Sequence, residues 1–236
     1  MVRNADLGDL KNSQFYLRAK SGSARCAIKL IEQKITDAFI QDVSSLAEGK
    51  DDVIILPVMA KEGMGNNKIP YASALFLSYF FDIRIDERIV QSSKAFRTGS
   101  GADHRLTVYP EFDGKPLKNH NYIIVDDTLA MGGTIATLRS YLMAKGANVI
   151  GAAVLTAHQG VTHLPIRDKM LNDIYRKHGD DAFTLWEEEF GYGIDCLTQG
   201  EAGHIKAARS VESLRDRITE ARLRHLRSFD ESEGGE

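Results

Sequence analysis

Cysteine is scarce in this chain of 236 residues: Cys26 and Cys196 are the only two, and they stand far apart. Their scarcity excludes a disulfide framework and any CxxC metal or redox spacing, and it fits a reducing compartment. An excess of one charge is also missing. With 30 Lys+Arg against 33 Asp+Glu the formal charge is -3, so no whole-molecule field draws the protein to nucleic acid or to an anionic membrane. Long hydrophobic runs are missing too. The most apolar stretch, Tyr71 to Phe81, is about half of the roughly 20 residues that a membrane-spanning helix needs. The opening, Met1 to Gln14, is mostly polar, and a soluble, cytoplasmic protein is expected. Internal repeats are absent, and the one low-complexity tract is the polar tail Asp230 to Glu236.

What is present suffices for a globular core: 43% hydrophobic and 27% charged residues, where disordered chains are poor in large apolar types. The length suits one domain with an appendage. Cys26, Ala27, Ile28, Leu30, Ile31, Ile35, Phe39 and Ile40 recur at helical spacing and predict one amphipathic helix. The continuous apolar run Val53 to Val58 predicts a strand buried on both faces. A loop with two glycines and two asparagines follows, Met59 to Lys68, and Pro70 then suits the first turn of a helix with its body at 72 to 81. An extended piece near Ile83 to Val90 leads into Ser92 to Arg105, which has no hydrophobic period and reads as a mobile surface loop. Tyr122 to Val125, Thr134 to Lys145 and Val149 to Leu155 read as strand, helix and strand, one βαβ unit. Beyond Thr156 the pattern is mainly helical, with candidates at 166 to 177, 182 to 190, 200 to 208 and 211 to 226. The expected fold is α/β, a parallel twisted sheet with helical additions. Residues 1–50 form an N-terminal helical segment, 51–157 the α/β core and 158–236 a mainly helical extension.

The segment richest in chemistry is Ile123-Ile124-Val125-Asp126-Asp127-Thr128-Leu129-Ala130-Met131-Gly132-Gly133-Thr134. It puts two carboxylates at the C-terminal end of a buried strand, where open α/β sheets bind ligands. Gly132 and Gly133 remove the Cβ atoms that would keep an anion from the backbone, and the helix N-terminus and the Thr134 hydroxyl favour a phosphate. Ionised Asp126 and Asp127 accept only, which suits vicinal hydroxyls, a developing positive charge or a hydrated Mg²⁺. Together they describe a site for a phosphorylated sugar.

Here the segment resembles the binding motif for 5-phosphoribosyl 1-pyrophosphate (PRPP) of the type I phosphoribosyltransferases: apolar strand, acidic pair, short spacer and Gly-Gly-Thr turn. The resemblance implies a sheet of phosphoribosyltransferase type, with the terminal additions as a hood. It also implies Mg²⁺-dependent transfer of the 5-phosphoribosyl group from PRPP to a nitrogenous base with release of pyrophosphate. By position it gives Asp126 and Asp127 the ribose hydroxyls and the turn Ala130, Met131, Gly132, Gly133 and Thr134 the 5-phosphate. More loosely, Ala60, Lys61, Glu62 and Gly63 stand where the family holds pyrophosphate, and Lys94, Arg97, His104 and Arg105 lie in the place of its flexible catalytic loop. Lys94, Arg97 and Arg105 join the acidic pair as the expected catalytic set. No residue is assigned as a direct metal ligand, since Mg²⁺ is expected mainly through PRPP, near Asp126 and Asp127.

Met131 departs from the family, which usually has Thr or Ser there, and its side chain cannot donate to a phosphate. Ala130 lacks the aspartate that the 6-oxopurine enzymes carry near this point, which speaks against hypoxanthine and guanine. His158, Gln159 and His163 read as solvent-facing, and Trp186, Phe190 and Tyr192 as packing. Between Lys206 and Arg227 seven Lys/Arg stand against Glu212, Asp216 and Glu220. The departure at Met131, with this basic stretch, raises the alternative of a regulator that senses PRPP or a nucleotide and touches nucleic acid through its C-terminal helices. The preferred reading of the stretch is a solvated helix on the core or across a homodimer.

Overall fold

The structure is a computed structural model that describes residues 1–60, 67–92, 106–107, 109–158 and 163–233. These residues form two compact units. One lies within Met1–Lys94, Pro110–Ala130 and Ile135–His163, the other within Ala95–Tyr109, Met131–Thr134 and Leu164–Glu236.

The first unit is built on a parallel sheet. Strands β1 (Val2–Asp6), β2 (Val53–Pro57), β5 (Asn121–Leu129) and β6 (Asn148–Ala157) lie in the order β1-β6-β5-β2, every pairing parallel. A two-stranded antiparallel ribbon joins β3 (Val90–Gln91) to β4 (Phe112–Asp113). The apolar run at Val53 forms β2, and Ile54, Ile55 and Leu56 are buried, as a strand covered on both faces requires. Helix α4 (Ile69–Phe81) carries Pro70 in its first turn, as its ring geometry favours. The βαβ unit is β5, α5 (Gly133–Ala144) and β6, with Ile135, Leu138 and Leu142 buried. No helix among the described residues is long and apolar enough to cross a membrane.

Two expectations for residues 1–50 are corrected. The segment is not wholly helical, because Val2–Asp6 pairs with β6 from Val2↔Ala153 to Asp6↔Ala157. Its polar composition hides the strand, since only Val2 enters the core. The single helix expected from Cys26 to Ile40 is two, α2 (Ala24–Lys34) and α3 (Asp37–Ala47), after the short α1 (Tyr16–Lys20). Ile35 and Thr36 between them are extended, and the Thr36 hydroxyl caps α3 by accepting from the Phe39 amide. The apolar period runs on through the break because Ala27, Leu30, Ile31, Phe39 and Val43 all bury in one cluster with Ile55, Ile123 and Val125.

Asn4 ties strand to joint. Its amide nitrogen donates to the Lys34 carbonyl at 2.9 Å, and its oxygen accepts from the Thr36 amide and hydroxyl, each at 2.9 Å. The N-terminal end of β5 is fixed by a buried network. Tyr122 donates to Asp86 at 2.8 Å and accepts from the Leu117 amide at 2.9 Å. Arg88 grips Asp86 with two hydrogen bonds of 2.8 Å. Burial, with the nearby Asp86, pushes the Tyr122 phenol up to about 12.

In the second unit α6 (Asp168–Phe190) joins two of the expected helices across a kink at Gly179, whose φ of 66° suits glycine. Helices α7 (Gln199–Ala207) and α8 (Val211–Glu233) follow. Their core contains Ile174, Ala182, Leu185, Trp186, Leu197, Ala202, Ile205, Leu214 and Ile218.

Asn4→Ala removes three hydrogen bonds from the α2–α3 joint. Urea denaturation is expected to show a loss of about 1 kcal/mol, since the bond to the Lys34 carbonyl is partly buried and the two to Thr36 are exposed.

Candidate functional site

In the first unit the last Cα pair between β2 and β5 is Pro57↔Val125, so Asp126 and Asp127 stand one and two residues beyond it. Neighbouring residues of a strand point to opposite faces, and the two carboxylates meet different surroundings. Asp127 follows Ile123 and Val125 on the face that α1, α2 and α4 cover. Its Oδ2 accepts from Lys20 Nζ at 2.5 Å and from Asn67 Nδ2 at 2.9 Å. Lys20 closes α1, and Asn67 stands just before α4, where its Oδ1 accepts from the Ile69 amide at 3.2 Å. The Asp127 side chain is 6% exposed and that of Lys20 30%. From β6, Thr156 donates to the Asp127 carbonyl at 3.3 Å.

Asp126 is half-buried, and its Oδ1 accepts from the Asp127 amide at 2.8 Å. Burial, and then the charge of Asp127 beside it, hold the Asp126 carboxyl well above the usual carboxylate range. The Lys20 charge opposes both. Burial works against the Lys20 ammonium, but the charge and hydrogen bond of Asp127 outweigh it and raise its pKa above 10.5. The adjacent acids thus differ in kind, one pinned in an ion pair and one presented as an acceptor.

The sequence reading did not find Lys20 or Asn67, which stand 107 and 60 positions from Asp127. The available signal was general. Two carboxylates ending a buried strand need a cation, and sequence position does not say which of the chain's cations it is.

The glycine turn belongs to the second unit. Gly132 has φ of 90°, where a side chain would be strained, and Gly133 opens α5. Met131 is buried in the cluster of Leu185, Trp186, Leu197 and Ala202, so its departure from a hydroxyl residue has a packing reason. Its carbonyl accepts from the Thr198 hydroxyl at 2.6 Å. Thr198 also caps α7 in a reciprocal pair with Glu201. A Cβ on Gly200 would stand 2.8 Å from the Met131 oxygen and 2.9 Å from its Cα, so the first turn of α7 lies directly on the backbone of this turn. Trp186 is fully buried and stacks on Phe190 with ring centroids 4.2 Å apart, as packing residues do.

Ala60 lies beyond β2 in a parallel bridge with Gln91, whereas Lys61, Glu62, Gly63, Lys94, Arg97 and Arg105 lie outside the described residues. Several cations of the basic stretch are engaged. Lys206 pairs with Asp173 at 2.7 Å, Arg222 with Glu189 while lying over the Phe190 ring, and Arg224 with Glu220. Among the described residues no group of three or more His, Cys, Asp or Glu side chains offers a metal ion a ligand set, and Asp127 already serves Lys20 and Asn67. Mg²⁺ keeps several waters and takes one or two carboxylates together with substrate phosphates, so it enters below only as part of a substrate complex near Asp126.

No family model matches the chain. It is 48% identical over 222 residues to the protein TraN of Escherichia coli, covering 94% of this chain and 49% of TraN. It is 40% identical over 137 residues to an uncharacterized protein of Haemophilus influenzae, covering 58% of this chain and 30% of that protein. The chain thus spans about half the length of TraN and less of the second relative. Among solved structures it is similar to an adenine phosphoribosyltransferase from Thermoanaerobacter pseudethanolicus, at 18% identity and TM-score 0.34, over 51% of this chain and 79% of that one. A purine phosphoribosyltransferase from Pyrococcus horikoshii is similar at 20% identity and TM-score 0.34, over 52% and 83%.

Two outcomes follow. The raised Asp126 carboxyl makes the folded protein favour the protonated form, so stability falls as pH rises above the ordinary 3.8 towards the raised value. Asp126→Asn removes this term, and its stability advantage in urea is expected to grow with pH to about 1 kcal/mol or more. Gly200→Ala forces a methyl group onto the Met131 backbone and is expected to cost about 1–3 kcal/mol in the same assay, with faster proteolysis of the C-terminal helices.

Proposed function

We propose that the protein is a phosphoribosyltransferase, moving the 5-phosphoribosyl group of PRPP to a nitrogenous base and releasing pyrophosphate. The observation that carries this reading is the end of β5. A half-buried Asp126 follows an apolar strand, and a turn with positive φ at Gly132 opens the next helix seven residues later. The parallel sheet β1-β6-β5-β2 supports it, since it puts the segment at a strand end of the kind that binds ligands.

In this reading the amides of Met131 to Thr134 and the Thr134 hydroxyl hold the 5-phosphate, aided by the helix dipole. The Asp126 carboxyl accepts from a ribose hydroxyl, and in its ionised form it stabilises positive charge developing on the ribose ring. A nitrogen of the base forms its bond to the anomeric carbon as the bond to the pyrophosphate oxygen breaks and the electron pair leaves with pyrophosphate. Ala60, Lys61, Glu62 and Gly63 receive the diphosphate. Lys94, Arg97 and Arg105 close over it, balancing its charge and excluding water. Mg²⁺ arrives with PRPP. The Met131 side chain gives no donor, so the 5-phosphate is held by backbone amides more than in relatives with Thr or Ser. The assembly in this reading is a homodimer. The alternative, a nucleic-acid-touching regulator, is weakened by the pairing of Lys206, Arg222 and Arg224 within their own unit.

Pyrophosphate release from Mg-PRPP over a panel of purine, pyrimidine and pyridine bases tests the reading. Release with one base and not with PRPP alone is expected, and release with none contradicts it. By calorimetry, Asp126→Asn with Asp127→Asn is expected to weaken Mg-PRPP binding at least about tenfold, the loss of one or more charged hydrogen bonds. Unchanged binding would remove the acidic pair from the proposed site.

A further inference from the structure

Asp127 Oδ2 collects two donors from distant parts of the chain, Lys20 Nζ at 2.5 Å and Asn67 Nδ2 at 2.9 Å. The neighbouring Asp126 has the Asp127 amide on its Oδ1. We propose that Lys20 is a positioning residue of the ligand site: its ammonium is the counter-charge that lets two adjacent carboxylates end β5, and it pins Asp127 so that Asp126 is the one presented to a ligand.

Four features support this. First, the groups that act on the Lys20 ammonium are Asp127 and Asp126 from β5 and Tyr16 from its own helix. Asn67 adds a hydrogen bond to Asp127 but no charge. Among these Lys20 is the one positive group against two carboxylates. Second, a buried carboxylate that loses its cation is strongly disfavoured, and Asp127 is 4% exposed. Third, the placement is anchored: the Lys68 amide donates to the Ala19 carbonyl at 3.2 Å, beside Lys20, so α1 and the start of α4 are held together where they converge on Asp127. Fourth, the Lys20 side chain is 30% exposed, and an ammonium has three donors. The α1 segment thereby belongs to the site by its charge, although it lies more than 100 positions before the motif in sequence.

Charge and shape can be separated at Lys20. Lys20→Gln keeps a side chain that can donate to Asp127 and removes the charge, Lys20→Arg restores the charge, and Lys20→Met removes both. The carboxyl carbon of Asp126, followed by NMR through a pH titration of the ligand-free protein, is expected to titrate at higher pH in Lys20→Gln than in the wild type, by about one pH unit or more. Lys20→Arg is expected to return it to the wild-type position. An Asp126 titration unmoved by Lys20→Gln would overturn the inference, and so would a shift that Lys20→Arg fails to reverse.

The part that concerns PRPP rests on the function proposed above. Lys20→Gln is expected to weaken Mg-PRPP binding at least about tenfold at neutral pH, with the defect shrinking as pH rises and Asp126 ionises. A defect of the same size at every pH would mark Lys20 as a merely structural contact. Wild-type protein that fails to bind Mg-PRPP would refute the proposed function alone, because the ligand-free titration decides the role of Lys20 without it.

Discussion

Two adjacent carboxylates at the end of a buried strand repel one another and lose hydration together, so they persist only where a cation and fixed donors compensate. In this protein the compensation comes from Lys20 and Asn67, both on Asp127. Much of the first unit is arranged around that requirement. α1 ends at the lysine, the asparagine stands before α4, and β5 runs past the end of β2 to carry the two acids. The consequence is an unequal pair. Asp127 spends its charge on the fold, while Asp126 keeps a carboxyl that burial and its neighbour make hard to ionise. Groups held away from their ordinary pKa recur at binding and catalytic sites.

The second constraint lies in the turn. Met131 buries its side chain in one cluster with Leu185, Trp186 and Leu197. The Met131 carbonyl is taken by Thr198, and Gly200 allows helix α7 to reach its backbone. The turn therefore gives the helices that follow a firm seat, and in the function proposed above the same backbone receives an anion. Gly132, at φ 90°, turns the chain, and Met131 provides the seat.

Much of the architecture could be read from local pattern. The apolar run that became β2, the proline opening α4 and the β5–α5–β6 unit all depend on neighbours in sequence, and periodicity reports such neighbours well. β1 was hidden because one residue of its five, Val2, is buried and the strand is held by its partner β6 and by Asn4. The break at Ile35 was hidden because α2 and α3 bury residues in the same cluster, so the apolar period continues through it. At the site the acidic pair and the glycines were legible as chemistry. The unequal roles of the two acids were not, since they follow from Lys20 at a separation of 107 positions. Met131 was legible only as a departure, and its reason emerged from helices more than 50 residues further along the chain.

The most direct test of the central claim, that the end of β5 and the glycine turn hold a phosphorylated sugar, is amide NMR of the isotopically labelled protein titrated with ribose 5-phosphate, with ribose and inorganic phosphate as separate controls. The account predicts saturable shifts at Gly132, Gly133 and Thr134 with ribose 5-phosphate, accompanied by shifts at Asp126 and Asp127 that phosphate alone does not produce. Shifts confined to other parts of the chain, or equal responses to inorganic phosphate and ribose 5-phosphate, would contradict it.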